Sequence, residues 1–231
     1  MTYDIVSFDL DGTIVDTAAE IAEAANLALE EHGIERRAVA EISALIGRGT
    51  RELMLCLAAR TFLERPALAQ EVGPDALLAA MDRHYEATTG SSALPYPGCG
   101  EALARLAAAG VRLACTTNKE LRHARRVLQV TGLDGYFEVI VGGDSLPEKK
   151  PHPSVLRHVV AALHGSPDRA AHVGDSSIDV EAARSAGLAA WAVPYGYNAG
   201  VPIADCHPDR VFDDLPQLAA HVLGQRAART A

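Results

Sequence analysis

Two kinds of apolar pattern alternate along this chain. Short, nearly continuous apolar runs occur at YDIVSF from Tyr3, VRLACTT from Val111, FEVIVGG from Phe137, AAHVGD from Ala170, LAAWAVP from Leu188 and DRVFDD from Asp209. Runs of that kind predict strands buried on both faces. Between them lie segments with helical periodicity. In ELRHARRVLQVTG, for example, Leu121, Ala124 and Leu128 share one face opposite a basic one, and Gly132 ends the pattern. Strand and helix in alternation predict an α/β fold, a doubly wound (Rossmann-like) parallel sheet with helices on both faces.

One interval breaks the rhythm. From Asp16 to about Tyr96 no convincing strand is legible, whereas AAEIAEAANLALEEHG, VAEISALIG, TRELMLCLAARTFLE and PDALLAAMDRHYEATTG all read as helices. The expectation is therefore a helical insertion after the first strand, left through LPYPG, whose prolines stiffen the return. Residues 1–15 and 96–231 are assigned to an α/β core domain and residues 16–95 to a small helical cap domain.

Composition narrows the field of functions. The chain has 231 residues, 48% of them apolar, enough for a substantial core without a staple. A formal net charge of -9 argues against broad binding to nucleic acid or to an anionic membrane, and leaves room for a small anionic substrate at a locally reversed site. Four scattered cysteines, with no C-x-x-C pair, suggest neither zinc nor a disulfide framework and fit a reducing cytoplasm. The opening residues lack the basic and apolar blocks of a leader, and no run reaches the length of a membrane span.

Ligands of open parallel sheets bind beyond the carboxyl ends of the strands, and the polar clusters of this sequence fall there. After the first strand come Asp9 and Asp11, followed by Gly12 for a turn and Thr13, whose hydroxyl can brace it. Two carboxylates so close repel unless a cation is bound or one is protonated. Asp175 and Asp179, four residues apart, supply further acids, although Asp175 reads equally as the N-cap of the helix behind it. Hard oxygen ligands with no His or Cys among them favour Mg2+ over zinc. Thr117 and Asn118 read either as a helix cap or as a phosphoryl-oxygen site at a helix N-terminus. Lys150 is an ordinary solvated lysine or, restrained by Pro151 and Pro153, an ammonium aimed at the crevice. Together these groups describe a metal, a nucleophile and a phosphate cradle.

In this order and register, DLDGT, TTN, KKPHP and GDSSID resemble the motifs of the haloacid dehalogenase-like superfamily of aspartate-nucleophile phosphatases, over nearly the whole chain. PYPG, TNK, GGDSLPEKKPHP and VPYGYN are similar to the bacterial phosphoglycolate phosphatase branch, and LIGRGTREL from Leu45 to its substrate-facing cap loop. The resemblance implies an Mg2+-dependent phosphatase acting through an aspartyl phosphate, with 2-phosphoglycolate as substrate. Under it, Asp9 attacks phosphorus and Asp11 shuttles the proton. Thr117, Asn118 and Lys150 hold the phosphoryl group, and Asp9, Asp175 and the Asp11 carbonyl hold the metal. Asp179 orients a metal-bound water or Lys150. Arg48, between Gly47 and Gly49, either reaches a substrate carboxylate or simply sits in a helix-to-helix turn. The expected partner is a small phosphorylated metabolite, and the expected assembly a monomer or homodimer. The competing readings are a pyrophosphatase, a sugar-phosphate phosphatase or phosphomutase of the same superfamily, and a non-enzymatic phospho-accepting module.

Overall fold

A computed structural model describes residues 2–230. Six parallel strands form one sheet: β1 (Ile5–Phe8), β4 (Arg112–Thr116), β5 (Val139–Val141), β6 (Ala170–Gly174), β7 (Ala189–Ala192) and β8 (Arg210–Val211). Their spatial order is β5-β4-β1-β6-β7-β8. The chain therefore builds outward from β1 to one edge, then crosses back to build the other half from β6. That reversal is the topological switch point of a doubly wound fold, where a crevice opens past the strand ends. The central registers pair Ile5 with Arg112 on one side and with Ala170 on the other, so β1, β4 and β6 end at one level. The residues just past them, Asp9, Thr117 and Asp175, emerge side by side.

Apolar side chains cover both faces of the sheet. On one side Val6, Phe8, Leu113, Val173 and Trp191 pack under α6 (Cys99–Ala108), α7 (Leu121–Val130) and α10 (Leu215–Thr230). On the other, Ile5, Ala114, Ala170 and Ala190 meet α8 (Ser154–Ala162) and α9 (Ser177–Ala186). The inner strands β1, β4, β6 and β7 are buried on both faces, hence the apolar runs in their sequences, whereas β8 at one edge is exposed.

The interval from 18 to 88 holds five helices: α1 (Ala18–Glu31), α2 (Val39–Ser43), α3 (Thr50–Glu64), α4 (Pro66–Glu71) and α5 (Pro74–Thr88). They close around a core of their own. Ala22, Ala25 and Ala28 keep α1 slender enough for Leu77, Met81 and Tyr85 of α5 to pack in the same cluster.

The structure adds an element absent from the sequence reading. β2 (Val15–Asp16) and β3 (Leu94–Pro95) pair antiparallel and tie the outgoing and returning chain together. Two-residue strands carry no hydrophobic period, which is why they were not legible. Among the described residues no helix is long and apolar enough to cross a membrane.

Candidate active site

The loop after β1 closes on itself before it reaches β2. The amides of Thr13, Ile14 and Val15 all donate to the Leu10 carbonyl, and Gly12 takes φ +80°. Gly12 answers to more than the turn, because a Cβ there would lie 2.5 Å from the Asp175 carboxylate. Gly196 meets Asp175 from the opposite loop, where a Cβ would come within 2.2 Å. Asp175 is thus enclosed by two bare backbones. Its Oδ1 accepts from Thr13 Oγ1 at 2.9 Å and its Oδ2 from the Tyr197 amide at 2.6 Å.

Asp9, Asp175 and Asp179 are buried, and one carboxylate oxygen from each lies within 4.8 Å of the other two. Lys150 reaches this cluster from the loop before α8. Its Nζ stands 2.9 Å from Asp9 Oδ1 and 2.7 Å from Asp179 Oδ1, with the lysine itself 2% exposed. Burial opposes the charge on Lys150, but Asp179 and Asp9 hold its pKa above the ordinary lysine value. Burial likewise opposes the Asp179 charge, and there Lys150 and the His172 hydrogen bond win, keeping that carboxyl below the usual range. Asp9 comes out on the other side: burial lifts it to about 7 against the pull of Lys150. Burial, with Asp179 and Asp9 adding their repulsion, also raises Asp175 well above its ordinary value. Three carboxylates therefore face one ammonium. A hard divalent cation fits this donor set, made only of oxygen and short of positive charge.

The reading of Asp175 as an N-cap is corrected. Ser176 is the N-cap of α9 and Asp179 is its N3 residue, completing a capping box in which Asp179 Oδ2 accepts from Ser176 N at 3.2 Å and Ser176 Oγ at 2.5 Å. Asp179 thus caps its helix with one oxygen and binds Lys150 with the other. Asp175 stays free of the helix.

Thr117 and Asn118 follow β4 and are buried. Thr117 Oγ1 accepts from the Lys119 amide at 3.2 Å and lies beside the cavity. The Asn118 amide group is committed elsewhere. Its Oδ1 accepts from Lys150 N at 2.9 Å, and its Nδ2 donates to the carbonyls of Lys150 and Gly47, each at 2.9 Å. Asn118 therefore fixes the Lys150 backbone and fastens the loop between α2 and α3 onto the sheet.

Above Asp9 and Asp11 lies a small cavity, walled on the helical side by Ile21, Ile46, Gly47, Gly49, Thr50 and Leu53. Arg48 is not brought into it. The side chain is exposed and faces outer recesses beside Glu52, while its carbonyl accepts from Lys149 Nζ at 2.7 Å. Lys149 also pairs with Glu52 at 2.6 Å, so the two lysines of KKPHP divide, one to the helical layer and one to the acids.

Lys119 was passed over in the sequence reading. Its Nζ lies 2.6 Å from Asp11 Oδ1, the side chain is 1% exposed, and the Tyr85 ring centroid is 5.2 Å away. The signal was present as TNK, directly after Thr117 and Asn118, but the partner is 108 residues distant in the chain. Tyr197, in VPYGYN, also belongs to the site. Beyond its amide bond to Asp175, its hydroxyl accepts from the amides of Thr17 and Ala18 at 2.9 and 3.1 Å and donates to Asp16. The basic face of α7 is also more than solvated, since Arg122 pairs with Asp82 and with Glu86 of α5.

Residues 6–193 match the haloacid dehalogenase-like hydrolase family. The chain belongs to that family. This haloacid dehalogenase-like hydrolase is 39% identical over 226 residues to the plasmid phosphoglycolate phosphatase of Cupriavidus necator, covering 98% of this chain and 96% of that one. It is 39% identical to the phosphoglycolate phosphatase of Nitrosospira multiformis, with 91% of each chain covered. Among solved structures it is similar to a predicted phosphoglycolate phosphatase of Haemophilus somnus, at 32% identity and a TM-score of 0.86, covering 94% of this chain and 97% of the other.

Proposed function

We propose that this hydrolase is a Mg2+-dependent phosphatase that converts 2-phosphoglycolate to glycolate and phosphate. The observation that carries the reading is the meeting of Asp9, Asp175, Asp179 and Lys150 at the switch point of the sheet, beneath a small cavity with Thr117 on its wall. The names of the similar phosphoglycolate phosphatases support the choice of substrate.

Asp9 is the nucleophile and attacks phosphorus opposite the leaving oxygen, so that one difficult hydrolysis becomes two displacements through an aspartyl phosphate. Asp11, two residues on and beside the same cavity, gives a proton to the departing alkoxide and takes one from the water that follows. Thr117 and the Lys150 ammonium hold the phosphoryl oxygens in fixed positions, where electrostatics set in place beforehand contribute most. Asp9, Asp175 and the main-chain carbonyl of Asp11 would hold Mg2+, with Asp179 orienting Lys150 or a water of the cation. When bound, the cation offsets the repulsion among the acids and the charge of the transferring group. The layer formed by Ile21, Ile46 and Leu53 keeps bulk water out of the cavity.

The test is a panel with Mg2+ present: 2-phosphoglycolate, sugar phosphates, pyrophosphate and nucleotides. The highest kcat/KM is expected on 2-phosphoglycolate, with all turnover abolished in Asp9→Asn and the circular dichroism unchanged. Preference for pyrophosphate or a sugar phosphate overturns the substrate, and an active Asp9→Asn protein overturns the chemistry.

A further inference from the structure

Among the described residues that line the cavity, Lys119 is the cation. Its position is peculiar. The ammonium is buried, which disfavours its charge, and Asp11 restores that charge at 2.6 Å. It therefore requires an anion at all times. Asp11 is less constrained. Its side chain is 11% exposed to the cavity and its Oδ1 has a second donor, Thr17 Oγ1 at 2.6 Å. The nearby Glu20 makes no hydrogen bond to the ammonium: its Oε2 accepts from the Gly90 and Ser92 amides at 2.9 and 3.5 Å, and its buried Oε1 has no hydrogen-bond partner, although the Lys119 charge favours the Glu20 carboxylate from nearby. The opposite wall is Ile21, Ile46 and Leu53 with the glycines of the loop, and Arg48 points away. A second negative group on a substrate thus has one cation to meet.

We propose that Lys119 is the receptor for a carboxylate on the leaving group. Held by Asp11 before substrate arrives, its ammonium exchanges that ion pair for the substrate carboxylate, and the Asp11 carboxyl is released to face the ester oxygen. The inference rests on the phosphatase reading and deepens it. The substrate class is a short phosphate monoester whose carboxylate lies one or two carbons from the ester oxygen. No covalent bond is made or broken in the exchange, and the freed Asp11 carboxylate takes up a proton from solvent before it gives one to the departing alkoxide.

The experiment compares 2-phosphoglycolate with ethyl phosphate, which has the same chain length and no carboxylate, in the wild type, Lys119→Met and Lys119→Arg, each with Mg2+. In parallel, calorimetry measures binding of two inert analogues, 3-phosphonopropionate and propylphosphonate. In Lys119→Met the preference for the carboxylated member of each pair is expected to fall about 30-fold or more, the scale of a lost charge-assisted hydrogen bond. Lys119→Arg is expected to keep part of it. Equal losses on both members of a pair, or a wild type indifferent to the carboxylate, overturn the proposal and leave the phosphatase reading standing. A wild type that hydrolyses no ester removes the phosphatase reading, while the analogue pair still decides the role of Lys119. Should Lys119→Met fail to fold, Lys119→Arg and the wild-type binding ratio give the same decision.

Discussion

The acids around Asp9 are held in a state that water would not tolerate. Two unit charges 4 Å apart repel by about 4 kcal/mol at the effective dielectric of a protein site, and Lys150 offsets only part of that. Removing the ammonium leaves Asp9 buried without its ion-pair partner and Asp179 with only its Ser176 and His172 hydrogen bonds. Lys150→Met is accordingly expected to lose at least about a thousandfold in kcat and about 3–5 kcal/mol in stability, read by kinetics and by urea unfolding in a chelator. A stability loss below about 1 kcal/mol would place the pair in the class of solvated ion pairs. At this scale the sequence was legible wherever a role depends on near neighbours. Asp9, Asp11, Asp175 and Thr117 stand out because each follows a strand. Lys119 and Tyr197 were not legible as parts of the site, because their partners lie 108 and 22 or more residues away. For Arg48 the sequence leaves two readings open, because two flanking glycines free its backbone but do not determine which side of the loop its side chain takes; the exposed side chain agrees with the turn.

Elements meet at this site through backbone as much as through side chains. Gly143, past β5, illustrates the constraint. A Cβ there would lie 2.2 Å from the Asn118 carbonyl oxygen, an atom of backbone that cannot swing aside. Gly143→Ala should destabilise the protein by about 1–3 kcal/mol through overpacking and should lower kcat by displacing the Thr117 to Lys119 turn. Gly33→Ala is the contrast, for its Cβ meets nothing within 4 Å and only its φ of +67° resists, at a cost of about 1 kcal/mol. Thermal melts and kinetics on the pair check this; equal effects on kcat would remove the special role of the Gly143 contact. The capping box of α9 makes a second element-scale claim. Ser176→Ala should weaken the helix by about 0.5–2 kcal/mol and loosen Asp179, lowering activity more than stability. The main elements were legible because buried strands and amphipathic helices leave long patterns, whereas β2 and β3 owe their existence to pairing with each other.

At the scale of the whole molecule, a helical layer is clamped over a sheet by a few polar contacts: Asn118 to Gly47, Thr50 to Glu120, Lys149 to Glu52 and Arg122 to Asp82. The acid cluster beneath it gives stability a dependence on pH and metal. With a folded-state value of about 7 against an ordinary 3.8, Asp9 takes up a proton on folding. Its contribution is therefore fully present below 3.8 and lost as pH rises through about 7, and the raised Asp175 acts in the same direction. Asp179, held low, acts oppositely and only in acid. A bound cation replaces those protons, so the rise in melting temperature given by saturating Mg2+ should grow between pH 5 and pH 8, and Asp175→Asn should abolish most of it. A rise independent of pH would detach the metal from these acids. The central claim is that Asp9 carries the phosphoryl group. Acid quench during turnover of 2-phosphoglycolate, followed by borohydride reduction and peptide mass spectrometry, should convert residue 9 to homoserine. Homoserine at another aspartate, or unmodified Asp9 in a chain that turns over the ester, would contradict the account.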